Sequence, residues 1–183
     1  MVSSRTQVMV ESRRWLVERA RGDTLEIGVG SWPSLPLYRT GLELTGLDHN
    51  PRAVAQAKRT VARSGRRATV IEGDAMALEA ADASFDTVVF SFSLCGVPQV
   101  RGALLEALRV LRPGGALLMA DHIASTSTPL RILQRVAESA TRPMFGEHFT
   151  RRPSLAAREL ELDIVETERL GRGMIERFHA VTR

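Results

Sequence analysis

The chain of 183 residues is short of several things, and each shortage narrows what it can be. It has one cysteine, Cys95, so no internal disulfide can form, which suits a reducing cytoplasm. Aromatic residues make up only 5%, too few for the stacking platforms that single-stranded nucleic acid requires, so nucleic acid is not an expected partner. No window approaches the roughly 20 consecutive apolar residues of a membrane-spanning helix, which leaves only peripheral membrane contact open. The N-terminus lacks a continuous apolar stretch followed by a small-residue cleavage site, so no export signal is expected. No metal-ligand spacing is apparent, and a net charge of +4 is modest.

What is present is an ordinary globular composition, 44% hydrophobic and 25% charged, in a chain long enough to bury roughly 70% of its unfolded surface as one domain. Strand-length apolar runs alternate with helix-period segments to about residue 145, the pattern of βαβ units around a largely parallel sheet. An amphipathic helix is expected over about 6–21, with Val10, Trp15, Leu16 and Ala20 on its apolar face and Gly22 as its stop. Strands follow at 24–28, 42–48, 68–72, 85–91 and 115–121. Asn50-Pro51 starts a helix to about 64, with Asn50 as cap and Pro51 at the first helical position.

Val100, Ala103, Leu104, Ala107, Leu108 and Leu111 fall at helical spacing, and Pro113-Gly114-Gly115 ends that helix. Thr128-Pro129 opens another, with an apolar stripe of Leu133, Val136, Ala137 and Ala140. Residues 160–170 and 174–181 alternate apolar with charged around Gly171-Arg172-Gly173, as an antiparallel edge hairpin does. Such an edge could pair with a second subunit, leaving monomer and homodimer both open. The expected fold is therefore α/β, a Rossmann-like doubly wound sheet of seven mostly parallel strands with a C-terminal antiparallel hairpin. It forms a single domain over 1–183, with substrate-side helices in 128–158.

Glu26-Ile27-Gly28-Val29-Gly30 follows the first strand, where glycines permit a tight turn and close approach of backbone to a ligand. Asp48 ends the second strand twenty residues after Gly28, the place where a nucleotide-binding fold puts a carboxylate against ribose hydroxyls. Asp48 could instead cap the next helix, but Asn50 already supplies that cap. These two features alone fit a nicotinamide-linked oxidoreductase as well as any other nucleotide-using enzyme.

Further along come Gly73-Asp74-Ala75, Phe85-Asp86-Thr87-Val88-Val89 and Leu111-Arg112-Pro113-Gly114-Gly115. Together with Leu25 to Gly30 and Gly46-Leu47-Asp48 they resemble, in order and spacing, the successive motifs of class I S-adenosylmethionine-dependent methyltransferases. In detail they are similar to the ubiquinone-biosynthesis and phosphatidylethanolamine N-methyltransferase-like group. The resemblance implies S-adenosylmethionine as cofactor, with Glu26, Gly28 and Gly30 lining its methionine end, Asp48 on the ribose, Asp74 receiving the adenine amino group and the Ala75 backbone beside it. His49 and Met76 would flank the adenine, although His49 also reads as an exposed turn residue and Met76 as a core filler. Ser91 to Leu94 would border cofactor and substrate.

The family usually has a third glycine where this chain has Trp32. An indole carries about 150–250 Å² of surface, so it must point away, stack on the ligand or fill the space the cofactor needs. Pro33 stiffens the same turn.

Methyl transfer depends mainly on holding donor and acceptor at attack distance, and a base is needed only if the nucleophile must lose a proton. Candidates for that base are Asp121, His122 and His148, with His122 favoured because it follows the fifth strand. His179 reads as structural and Cys95 as a small buried hydrophobe that could touch substrate. Arg131, Arg135, Arg142, Arg151 and Arg152 form either a mouth attracting a phosphate, a carboxylate or a membrane surface, or a solvated helix face. The acceptor expected from the resemblance is a small molecule or lipid headgroup. A non-methylating cofactor-binding protein of the same fold is the alternative.

Overall fold

A computed structural model describes residues 5–145, 148 and 150–183. Its elements are α1 (Arg5–Arg19), β1 (Asp23–Ile27), β2 (Glu43–Asp48), α2 (Pro51–Ser64), β3 (Thr69–Glu72), β4 (Phe85–Ser91), α3 (Val100–Val110), β5 (Leu111–His122), α4 (Thr128–Phe145), α5 (Pro153–Arg158), β6 (Leu162–Leu170) and β7 (Ile175–Thr182). The seven strands form one sheet in the order β3-β2-β1-β4-β5-β7-β6. The first five are parallel, and the hairpin of β6 and β7 joins antiparallel through β7. This is the α/β architecture that the alternation of apolar periods implies. Among the described residues no helix is long and apolar enough to cross a membrane.

Strand alternation sends side chains to two separate cores. Val88 and Phe90 face one side with Leu25, Ile27, Leu117, Met119 and Phe178, covered by α3 and α5 through Leu104, Ala107 and Ala157. Val89 faces the other with Leu44, Leu118 and Ala120, covered by α1 and the segment of Trp32, Leu35 and Tyr38. Each fully buried large apolar side chain contributes roughly 1.5–3 kcal/mol, so the central strands are fixed in register from both faces.

Local signals explain most boundaries. The Asn50 side chain accepts from Arg52 N at 2.9 Å to start α2, and Gly65 ends it in the left-handed conformation. Helix α3 ends at Val110 rather than at Pro113-Gly114-Gly115: β5 starts at Leu111 and carries those three residues, with a register shift between the Phe85–Leu111 and Thr87–Ala116 pairs.

Two helix faces differ from expectation. On α1 the buried side is Val8, Ser12, Trp15, Leu16, Val17 and Ala20, while Val10 is 41% exposed. Ser12 is accommodated because its hydroxyl donates back to Val8 O and accepts from Arg177 Nε. On α4 the stripe of Leu133 and Val136 faces outward, and the polar Gln134 and Glu138 make the attachment. The side chains of Ala140 and Arg142 lie outside the described residues.

The order of the sheet places β1 between β2 and β4, so consecutive crossovers leave β1 in opposite directions. That is the topological switch point at which open α/β sheets bind ligands beyond the carboxyl ends of the strands.

Candidate functional site

The turn after β1 is built by backbone geometry. Gly28 has φ +74°, and its N–H and that of Val29 donate to Leu47 O at 2.7 and 3.1 Å. A Cβ on Gly28 would lie 2.4 Å from Cβ of Ser93, whose hydroxyl donates to Ile27 O. Glycine is thus required where the β1 and β4 loops cross. Gly30 also has positive φ, its N–H donates to Asp48 Oδ2 at 2.8 Å, and a Cβ there would meet nothing within 4 Å. The space beside Gly30 is open, as close approach of a ligand requires.

Trp32 has a left-handed backbone, with φ 59°, a conformation that costs an L-residue about 1–2 kcal/mol. Its indole turns away from the open side and is completely buried. The ring lies against Gly46 of β2, where an added Cβ would come within 2.8 Å of Cζ3. Its Nε1–H donates to Glu26 Oε2 at 2.8 Å. Of the three options for this indole, the structure takes the first.

Glu26 also accepts from Ser34 Oγ and Tyr38 OH. Burial pushes its carboxyl upward, while the three donors and the nearby Arg13 charge favour the ionised form. Glu26 and Trp32 therefore brace the loop from beneath rather than present surface to a ligand.

The remaining expected cofactor residues converge on one sheet edge. Asp48 ends β2, nearly buried, with Oδ1 accepting from Asn50 N at 2.9 Å and Oδ2 from Gly30 N. His49 beside it is exposed. Asp74, exposed beyond β3, accepts from Met76 N at 2.8 Å, with Ala75 and Met76 half-buried and packed toward the core. Ser91 ends β4, and its buried hydroxyl has no hydrogen-bond partner among the described residues.

Arg13 of α1 was not among the expected site residues. It lies over the Phe92 ring at 5.1 Å, close enough to Glu26 for their charges to interact, and its Nε is likewise unpartnered. In the sequence it is one of many arginines on a helix, and nothing in its spacing separates it from the solvated ones.

These residues fit S-adenosylmethionine. Two carboxylates suit the ribose hydroxyls and the adenine amine, the open face of Gly30 admits backbone approach, and the unsatisfied Ser91 hydroxyl and Arg13 Nε supply polar groups beside the Phe92 end.

Across the switch point lie Cys95, just after β4, and Asp121 and His122, the last two residues of β5. Their ligating atoms come within 4.8 Å of one another. Asp121 is buried, which pushes its pKa up to about 6, and its two oxygens accept from Cys95 N at 3.1 Å and His122 N at 2.7 Å. With both oxygens engaged by backbone, Asp121 serves to hold the two loops together. The half-buried His122 ring stacks at a tilt on Phe92, centroids 5.1 Å apart, which puts it on the same aromatic residue that Arg13 covers.

His148 sits further out. Its N–H donates to Cys95 O at 2.8 Å and its Nδ1 lies 3.2 Å from Glu138 Oε1, so its ring is tied to α4. His179 lies within β7, opposite Leu118 and half-buried, with its pKa lowered chiefly by burial.

A fold with this switch point, a glycine turn over Asp48 and a second carboxylate beyond β3 defines a nucleotide-cofactor α/β protein. Comparison with known proteins gives its family. A family model described as a methyltransferase domain matches residues 25–119, and the chain belongs to that family.

It is 34% identical over 116 residues to a phosphatidylethanolamine N-methyltransferase of Cereibacter sphaeroides, covering 62% of this chain and 57% of that protein. It is 38% identical over 133 residues to a demethylmenaquinone methyltransferase of Renibacterium salmoninarum, covering 67% and 54%. A thiol S-methyltransferase of Homo sapiens is 30% identical over 157 residues, covering 82% and 64%. The chain thus spans little more than half the length of the first two.

Among solved structures, a SAM-dependent methyltransferase from Methanosarcina mazei superposes with TM-score 0.71 at 22% identity, covering 87% of this chain and 92% of that one. The [4+2]-cyclase SpnF superposes with TM-score 0.77 at 17% identity, covering 98% and 82%. These likenesses establish the Rossmann-like methyltransferase fold.

Proposed function

We propose that this chain binds S-adenosylmethionine along the edge from Gly30 to Asp74 and transfers its methyl group to a small-molecule or lipid-headgroup acceptor held near His122. The observation that carries this reading is the open face of Gly30, whose N–H is held by Asp48. Held there by these residues, the cofactor would supply an electrophilic methyl on a sulfonium, to be taken by the acceptor's lone pair with the C–S electron pair left on sulfur.

The protein's own share is placement. Asp48 and Asp74 accept from the cofactor's hydroxyl and amine donors, while Gly28 and Gly30 let backbone approach it. Ala75 and Met76 stand by the adenine, with exposed His49 at the rim. Arg13 and Ser91 serve the opposite end. His122, fixed against Phe92, takes the acceptor's proton where the nucleophile carries one. Asp121 is a positioning residue for His122, and His148 orders the outer loop.

The three relatives named above act, by their names, on an amine-bearing phospholipid, a quinone precursor and a thiol, so those chemistries are the first acceptors to try. A monomer and a homodimer joined along β6 both accord with this reading. The single reduced cysteine supports a cytoplasmic setting, with any membrane contact peripheral.

Incubation with S-adenosylmethionine and, in turn, phosphatidylethanolamine, a reduced quinone precursor and an alkyl thiol tests this directly. The expected result is S-adenosylhomocysteine in stoichiometric yield with one methylated acceptor class. Tight cofactor binding without transfer to any acceptor would point instead to a non-methylating protein of this fold, as a [4+2]-cyclase on the same framework illustrates.

A further inference from the structure

Helix α4 is attached to the rest of the molecule by its polar side. Gln134 Nε2 donates to Ile123 O at 2.9 Å, and its Oε1 accepts from Ser125 N at 2.7 Å. One turn on, Glu138 accepts from the N–H and the hydroxyl of Thr150 at 3.0 and 2.7 Å and meets His148. At about 100° per residue, Ile132, Val136 and Leu133 span an arc of about 100° centred nearly opposite Gln134 and Glu138. They are 59%, 61% and 63% exposed. An amphipathic helix in a globular protein ordinarily turns its apolar arc to the core; this one is inverted.

Charge identifies the occupant. Arg131 and Arg135 lie side by side at one edge of the apolar arc, Arg135 exposed and Arg131 half-buried. Glu138, the only acidic residue of the helix, points inward into its hydrogen bonds. The outer surface of α4 therefore offers three large aliphatic side chains bordered by two arginines. A second copy of the same surface would bring arginine against arginine, whereas a surface of anionic headgroups over acyl chains matches both parts. The position also has a consequence: α4 leaves the sheet just after His122, through residues 123–127, so a surface lying on it faces the rim of the acceptor side.

We propose that α4 is an interfacial helix that seats Ile132, Leu133 and Val136 into the headgroup boundary of an anionic lipid surface, with Arg131 and Arg135 against lipid phosphates. This goes beyond the methyl-transfer reading and is tested by binding alone, so either can fail without the other.

The test is co-sedimentation of the full chain with vesicles of phosphatidylcholine alone and of phosphatidylcholine mixed with phosphatidylglycerol, at low and high salt. Binding is expected to the mixed vesicles, weakened by salt, with little to the neutral ones. The double variant Leu133→Gln/Val136→Gln should lose about tenfold or more in partition, as removal of buried apolar area implies. Arg131→Gln/Arg135→Gln should lose about 25-fold on anionic vesicles, the product of two contacts of about fivefold each. Because Leu133, Val136 and Arg135 are exposed and Arg131 is only half-buried, both variants should keep the wild-type circular dichroism spectrum. No sedimentation with anionic vesicles overturns the proposal, as does undiminished binding by the Leu133/Val136 variant. Sedimentation equilibrium showing a dimer that this variant splits, with vesicle binding absent, would assign the surface to a second copy instead.

Discussion

Replacing Trp32 by phenylalanine separates the two things a residue in this loop could do, support the fold or contact the cofactor. The indole is fully buried against Gly46, and its Nε1–H is one of three side-chain donors to the carboxylate of Glu26. Phenylalanine keeps most of the apolar contact and deletes that hydrogen bond. Leaving a buried polar group short of a partner costs about 1–3 kcal/mol, so Trp32→Phe should destabilise by about 2–3 kcal/mol once the smaller ring is included.

Trp32→Ala adds a cavity, for which large-to-small changes cost about 3–5 kcal/mol, and takes much of the 5–15 kcal/mol available to a domain. The phenylalanine variant is therefore the informative one. Urea unfolding followed by circular dichroism gives the stability change, and calorimetry gives the affinity for S-adenosylmethionine. The expected outcome is a clear loss of stability with affinity held within about threefold, because the indole lies on the far side of the turn from the open face of Gly30. A variant as stable as the parent that had lost its cofactor would show that the indole touches the ligand, and the bracing role would be abandoned.

Other perturbations test the remaining parts. Asp48→Ala should weaken S-adenosylmethionine binding by about 1–3 kcal/mol, because the ribose acceptor is lost and the Gly30 N–H is left without its partner; calorimetry on the folded variant measures it. His122→Gln should lower the methyl-transfer rate by about 10²–10⁴ for an acceptor that must lose a proton, with cofactor affinity unchanged in a direct titration. Gly30→Ala should cost about 1–2 kcal/mol in unfolding experiments, since the site has room for a methyl group but the backbone conformation is left-handed.

Asp121 supplies a pH dependence. Its pKa is raised from 3.8 to about 6 by burial, so the folded protein retains a proton that the unfolded chain has already released. Stability from this group is greatest below about pH 4, declines by about 3 kcal/mol as pH rises to about 6, and is level above that. The difference between the wild-type and Asp121→Asn stability curves should show that slope, over and above a constant offset from the lost acceptor. A difference independent of pH across this range would mean that Asp121 is not desolvated in solution.

The sheet was legible because its signals are local and repeated. The run Val88-Val89-Phe90 marks a strand covered on both faces, and Asn50-Pro51 specifies a cap with a proline at the first helical position; both hold to the residue. Gly28, Gly30, Asp48 and Asp74 could be singled out as candidates because each lies at or just beyond the carboxyl end of a strand, and a parallel sheet gathers such positions on one edge.

What the sequence hid depends on long-range packing. No spacing rule tells that the Trp32 indole fits over Gly46, since that glycine's missing side chain on a neighbouring strand creates the room. Nor does periodicity decide which side of an amphipathic helix is buried. In α4 the polar Gln134 and Glu138 find backbone partners in the loops at 123–125 and 150, and those bonds outweigh the apolar stripe. The burial of Ser12 on α1, where Val10 was expected, follows from Arg177 reaching it across 165 residues of sequence.

The central claim is that the turn from Gly28 to Trp32 and the carboxylates of Asp48 and Asp74 form a working S-adenosylmethionine site. Calorimetric titration of the purified chain with S-adenosylmethionine, and separately with S-adenosylhomocysteine, tests it most directly. The account predicts saturable micromolar binding of both, one equivalent per chain, reduced in Asp48→Ala and preserved in Trp32→Phe. Absence of binding by either compound to the folded protein would contradict it.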